Sequence, residues 1–159
     1  MKLILFIVLC LALAACGGPP AQSPTPIYTD LVIMMERTVC FGACPAYRLT
    51  IYGDGRVVYE GKAFVAVEGT QTTQISAEKV QELVVAFEKA GFFSLEDSYT
   101  VPATDLPTTI TSITLDGQSK RISHYGIGGN PEVDNAPKEL YELENKIDEI
   151  VNSEQWVGR

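Results

Sequence analysis

Cys40 and Cys44 enclose three residues, Phe41-Gly42-Ala43, and Pro45 follows directly. Two thiols this close can form a small disulfide ring, run thiol–disulfide chemistry, or contribute two ligands to a metal. Gly42 lets a short loop close, and Pro45 ends it before the next segment. A redox pair normally has two intervening residues and a first cysteine at a helix N-terminus, which lowers its pKa. Here three residues intervene, and the segment that follows reads as a strand. A closed zinc site needs four ligands. The two cysteines and the single histidine, His124, make three. No metal or cofactor is therefore expected. His124 falls near the end of a strand-like segment beside Tyr125, with no Ser, Cys or carboxylate pattern around it, and reads as a half-exposed strand residue. Asp105, in Thr104-Asp105-Leu106-Pro107, is a turn former that caps its own backbone. Asp105, His124 and Tyr125 are weak candidates for contacting a ligand. The chain has no glycine-rich phosphate loop, nucleophile elbow or carboxylate-rich calcium loop, so no catalytic residue is assigned.

Two further cysteines, Cys10 and Cys16, lie in the first sixteen residues. Lys2 precedes an apolar run from Leu3 to Leu13, followed by the small residues Ala14 and Ala15. The run is too short to span a bilayer, which takes about 20 apolar residues, and has the shape of a secretory signal. Leu13-Ala14-Ala15-Cys16 resembles the lipobox of bacterial lipoproteins. That resemblance implies a diacylglyceryl group on the Cys16 sulfur, cleavage before Cys16, and loss of Cys10 with residues 1–15. Two or three acyl chains, at about 0.8 kcal/mol per buried methylene, are a sufficient anchor. Cys40 and Cys44 are then the remaining thiols, and in an oxidising compartment a disulfide is their default. A ring of about five residues contributes only about 2 kcal/mol. Residues 16–27 form a tether rich in Pro and Gly without a large apolar side chain before Ile27; at about 3 Å per residue it reaches roughly 30 Å.

The full chain carries a net charge of −8; without Lys2, eleven basic residues face twenty acidic ones, a net −9. Such a domain repels phosphate backbones and anionic headgroups, which argues against nucleic acid as a partner.

Residues 28–157 are expected to form one domain. Leu31 to Met35 is strand-like. Tyr47, Leu49 and Ile51 alternate with polar neighbours, Gly53-Asp54-Gly55 turns, and Arg56 to Glu60 returns as the next strand. Phe64 to Val67 and Thr70 to Ile75 are expected to extend the sheet. Ser76 caps a helix whose stripe is Val80, Leu83, Val84 and Phe87, with Gly91 as its stop. Phe92 and Phe93 are expected in the core, and residues 94–107 as loop. Thr109 to Leu115 and Gln118 to Tyr125 make a hairpin across Asp116-Gly117. After a loop containing Gly126, Gly128 and Gly129, Pro137 opens a last helix with Leu140, Leu143, Ile147, Ile150 and Val151 inward and an acidic, solvated outer face. The fold class is α+β: an antiparallel sheet built from hairpins, with two helices on one face and a hairpin–helix unit occurring twice.

Cys40-Phe41-Gly42-Ala43-Cys44-Pro45-Ala46-Tyr47, then Leu49, Ile51 and the Gly53-Asp54-Gly55 turn, resembles an uncharacterised bacterial domain family, number 6438. Thr104-Asp105-Leu106-Pro107, the Asp116-Gly117 hairpin and Gln155-Trp156-Val157 fit the same pattern. The resemblance covers about residues 30–157. It implies exported or lipid-anchored proteins and brings no activity. The sequence thus points to an exported lipoprotein, anchored on the cytoplasmic or outer membrane. Its non-enzymatic domain would meet an envelope protein or glycan in the periplasm or outside the cell. A redox protein using Cys40 and Cys44, or a small-ligand or metal-binding module, is the alternative.

Overall fold

The structure is a computed structural model and describes residues 28–127 and 135–158. Cys16, the tether, Gly128 and Gly129 lie outside the described residues.

Among the described residues, seven strands form one sheet: β1 (Val32–Arg37), β2 (Ala46–Tyr52), β3 (Arg56–Ala63), β4 (Gly69–Gln74), β5 (Ser98–Thr100), β6 (Thr108–Leu115) and β7 (Gln118–Tyr125). Their order across the sheet is β4-β3-β2-β1-β6-β7-β5. Every pairing is antiparallel except β5 with β7, which is parallel. β1 is central. The β2–β3 and β6–β7 hairpins flank it, and helices α1 (Ala77–Lys89) and α2 (Lys138–Val151) follow them in the chain. The fold is therefore α+β, as the alternating and helical periodicities indicate.

Side chains alternate across the strands. Leu31, Ile33 and Met35, with Leu49, Ile51, Val57 and Tyr59, point to one face, where they join Val80, Leu83 and Phe87 of α1 and Leu140, Leu143 and Ile147 of α2. Ser76 caps α1, its hydroxyl accepting from the Lys79 amide at 3.4 Å, and Gly91 stops it at φ 58°. Asp116 and Gly117 both have positive φ (51° and 72°), as a tight two-residue hairpin requires.

Four local readings change. Phe64 to Val67 is not a strand: it bends to place the Ala66 and Val67 amides on the carbonyls of Val157 and Trp156, 3.0 and 2.9 Å away. Those carbonyls belong to a short third helix, α3 (Glu154–Val157), whose Trp156 stacks on Tyr59 at 4.8 Å. Residues 98–100, inside the expected loop, are β5. Phe92 enters the core, but Phe93, the next residue in a 3₁₀ turn, faces solvent. Pro137 is the N-cap of α2, one position before its first turn.

The antiparallel order divides the molecule into two ends. Arg37, Ala46, Ala63, Thr108 and Tyr125 end or begin their strands at one, the loop end, which carries the Cys40–Cys44 loop. The Gly53–Gly55 and Asp116–Gly117 turns mark the other, the turn end, where the described chain also begins at Tyr28. Gly53 lies against Tyr28 so closely that a Cβ there would stand 1.7 Å from the Tyr28 carbonyl oxygen.

Candidate functional site

A row of polar side chains crosses the covered face of the sheet at its loop end. The strand register puts Arg37 of β1 opposite Tyr47 of β2 on one side and Thr109 of β6 on the other, with Thr109 opposite His124 of β7. Glu144 and Asp148 of α2 are one helical turn apart and descend onto this row.

At one end of the row, Asp148 Oδ2 accepts from Arg37 Nε (3.1 Å) and Nη2 (2.9 Å). Its Oδ1 accepts from the Tyr47 hydroxyl (2.7 Å) and the Ser153 hydroxyl (2.5 Å). Arg37 Nη1 donates to Thr109 Oγ1 at 3.2 Å. Burial works against the Arg37 charge, but Asp148 and the other partners outweigh it and raise its pKa above the ordinary arginine value. Burial first, then the Asp148 carboxylate, holds the Tyr47 phenol well above its ordinary range. The arginine is held charged and the phenol protonated, so this half of the row fixes charge rather than moving protons.

At the other end, His124 Nδ1 lies 3.1 Å from Glu144 Oε2, and the Thr111 hydroxyl reaches Glu144 Oε1 at 3.5 Å. His124 is 2 % exposed and Glu144 1 %. Both readings from sequence change here. His124 is buried rather than half-exposed, because α2 covers the end of β7. The polar face of the last helix is not solvated throughout, because Glu144 turns inward.

Beside the row is a cleft of about 140 Å³, with Arg37, His124 and Glu144 among its lining and Cys44, Pro45, Pro107, Ile127 and Tyr141 around them. Cys40 and Cys44 are joined by a disulfide, Cα atoms 5.6 Å apart. The Phe41 amide donates to the Asp105 carbonyl at 3.0 Å, so the ring is held against the 105–108 segment. Asp105 itself is exposed, at φ 68°, and the bond to the loop uses its backbone. The Tyr125 hydroxyl accepts from the Leu106 amide (3.2 Å) and donates to the Ala103 carbonyl (3.0 Å), fixing the same segment. The structure thus gathers Cys40, Cys44, Asp105 and Tyr125 at the loop end, with His124 below them.

Arg37, Glu144, Asp148 and Ser153 are not among the candidates expected from sequence, and Tyr47 figures there only as a strand and motif residue. Two signals mark them. Arg37 continues the inward alternation Leu31, Ile33, Met35. Glu144 sits four after Leu140 and three before Ile147, within the apolar stripe. Among the described residues, no group of three or more His, Cys, Asp or Glu side chains is placed to hold a metal ion. No described helix is long and apolar enough to cross a membrane.

Around this end, among the described residues, stand exposed large apolar side chains. Phe41 is 87 % exposed, and Val39, Phe64 and Ile127 are more than half exposed. Each lies within four residues of a strand terminus at the loop end. Of the described residues, Phe93 is the one further exposed large apolar side chain.

The model of a family described as a domain of unknown function (DUF6438) matches residues 31–151, from the start of β1 to the end of α2. No curated protein matches the chain.

Proposed function

The chain belongs to the DUF6438 family, and from that premise we propose that it is a membrane-anchored envelope lipoprotein whose domain binds a protein partner, without catalysis, through its loop end. The family's description assigns no function, so the reading rests on the geometry and on the Leu13-Ala14-Ala15-Cys16 motif.

The observation that carries it is the polarity of the domain. The tether joins at the turn end, where the Asp30 carboxylate accepts from the Gly117 amide at 2.8 Å and ties the incoming chain to the β6–β7 turn. The exposed Val39, Phe41, Phe64 and Ile127 stand at the opposite end, about 20 Å away along the six residues of β1. A lipid on Cys16 would thus join the domain at the turn end and leave the apolar end as the one farther from the point of attachment. Exposed aromatic and apolar anchors around a pocket are what protein interfaces use as centres of binding energy. The disulfide holds Phe41 in place, which lowers the entropy lost on docking.

Two measurements test this. Membrane fractionation of cells carrying the wild type and Cys16→Ala addresses the anchor: the wild type is expected in the membrane fraction as the acylated, cleaved form, and the variant not. Identical processing of both would sink the anchor. A photo-crosslinking amino acid at position 41, compared with one at position 116, addresses the face. A discrete adduct is expected from 41 only. Adducts from 116 alone would reverse the orientation.

A further inference from the structure

His124 is the chain's single histidine, and it is buried against a buried carboxylate. Neither the anchor nor the docking face uses that pair. We propose that His124 and Glu144 form a proton-dependent latch that seats α2 on the sheet. With a proton on the imidazole, the 3.1 Å contact is an ion pair. Without it, Glu144 is a buried carboxylate facing a neutral ring.

The surrounding groups make the proton count matter. Arg37 on β1 spends its hydrogen bonds on Asp148, Tyr47 and Thr109. Tyr47 on β2 donates its hydroxyl hydrogen bond to Asp148. β6 offers the hydroxyls of Thr109 and Thr111, β5 places Tyr99 beside His124 in parallel register, and α2 adds Tyr141 in the cleft wall. Among the described residues, the charges of the row are Arg37 and His124 against Asp148 and Glu144: balanced when His124 is protonated, one negative charge in excess when it is not. Burial alone disfavours the imidazolium. Against this stands the Glu144 side chain 3.1 Å away, and breaking a buried pair by removing one partner costs more than keeping it.

The sign follows. The folded chain binds this proton more tightly than the unfolded chain does. The contribution is complete below the ordinary histidine value of about 6.5 and is lost as pH rises through the higher folded value. Because His124 and Glu144 also line the cleft, losing the latch loosens the seat of α2 and the cleft wall together.

The test is a pH titration of the His124 ring Cε1–H signal by NMR on the full chain in detergent; with one histidine there is one such signal. The midpoint is expected at least one unit above about 6.5, a tenfold higher proton affinity. The melting temperature is expected to fall from pH 6 to pH 9. Glu144→Gln should return the midpoint by a unit or more and flatten that fall. A wild-type midpoint less than one unit above the ordinary value overturns the latch, whether or not Glu144→Gln folds. So does a wild-type melting temperature that does not change between pH 6 and pH 9.

Discussion

Glu36 and Arg37 are neighbours in β1, and the pleat sends them to opposite faces of the sheet. Each builds an ion cluster. On the open face, Glu36 meets Arg48 at 2.7 Å across the β1–β2 pair and also pairs with Lys62, and Arg48 reaches Glu60 at 3.5 Å. On the covered face, Arg37 meets Asp148 at 2.9 Å, with Tyr47, Thr109 and Ser153 completing the shell. The contacts are alike in length and differ in surroundings. Arg48 and Lys62 stay in solvent, where water and salt screen them. Arg37 and Asp148 are largely enclosed, and each depends on the other and on a fixed set of donors. One step along the backbone therefore separates an adjustable surface network from a structural joint between sheet and helix.

The largest test of that contrast is Asp148→Ala. It leaves the Arg37 guanidinium without its counter-charge and removes the acceptor of Tyr47 and Ser153, so a loss of about 3 kcal/mol is expected in urea unfolding. A loss under 1 kcal/mol would put this cluster in the same class as the surface one. Next in size is the disulfide: Cys40→Ser with Cys44→Ser should cost about 2 kcal/mol in the same measurement and leave the far-ultraviolet circular dichroism unchanged. Glu36→Gln should cost no more than about 1 kcal/mol. That cost should shrink in 0.5 M salt, while the cost of Asp148→Ala persists. The smallest effect is a pH dependence. Burial works against the Glu36 charge, but hydrogen bonds from Lys62 and Arg48 outweigh it and lower its pKa. Its contribution is full above the unfolded carboxylate value and is lost as pH falls through the lower folded value. NMR titration of the Glu36 carboxyl should show the depressed midpoint, and Arg48→Ala with Lys62→Ala should bring it back.

What the sequence revealed, and what it hid, divides along the same physical line. Local rules located the Asp116-Gly117 hairpin, the Ser76 cap and the Gly91 stop, because each is decided by a few adjacent residues. β5 was hidden: three residues, Ser98 to Thr100, become a strand only because β7 offers a parallel edge. Phe92 and Phe93 are equivalent in composition, and the 3₁₀ turn selects one for the core. The polar row was hidden for a stronger reason. Tyr47, Arg37, Thr109 and His124 are adjacent in space through strand register, and Glu144 and Asp148 join them only once α2 lies across the sheet. A sequence pattern confined to one element cannot express that.

The central place of β1 has a consequence for how the chain folds. Ile33 pairs with Ile51 of β2 and with Ile113 of β6, partners 18 and 80 residues further on. Synthesis runs from the N-terminus, so β1 and the β2–β3 hairpin exist well before β6 does. During that interval one edge of β1 lacks its hydrogen-bonding neighbour, and Ile33 and Met35 lack much of their cover. Closing the β1–β6 ladder is the long-range step on which the two halves depend, and long-range pairing is slow. The strand that begins the sheet is thus completed among the last, and the interval before β6 arrives is when the nascent chain is most open to aggregation or to a chaperone.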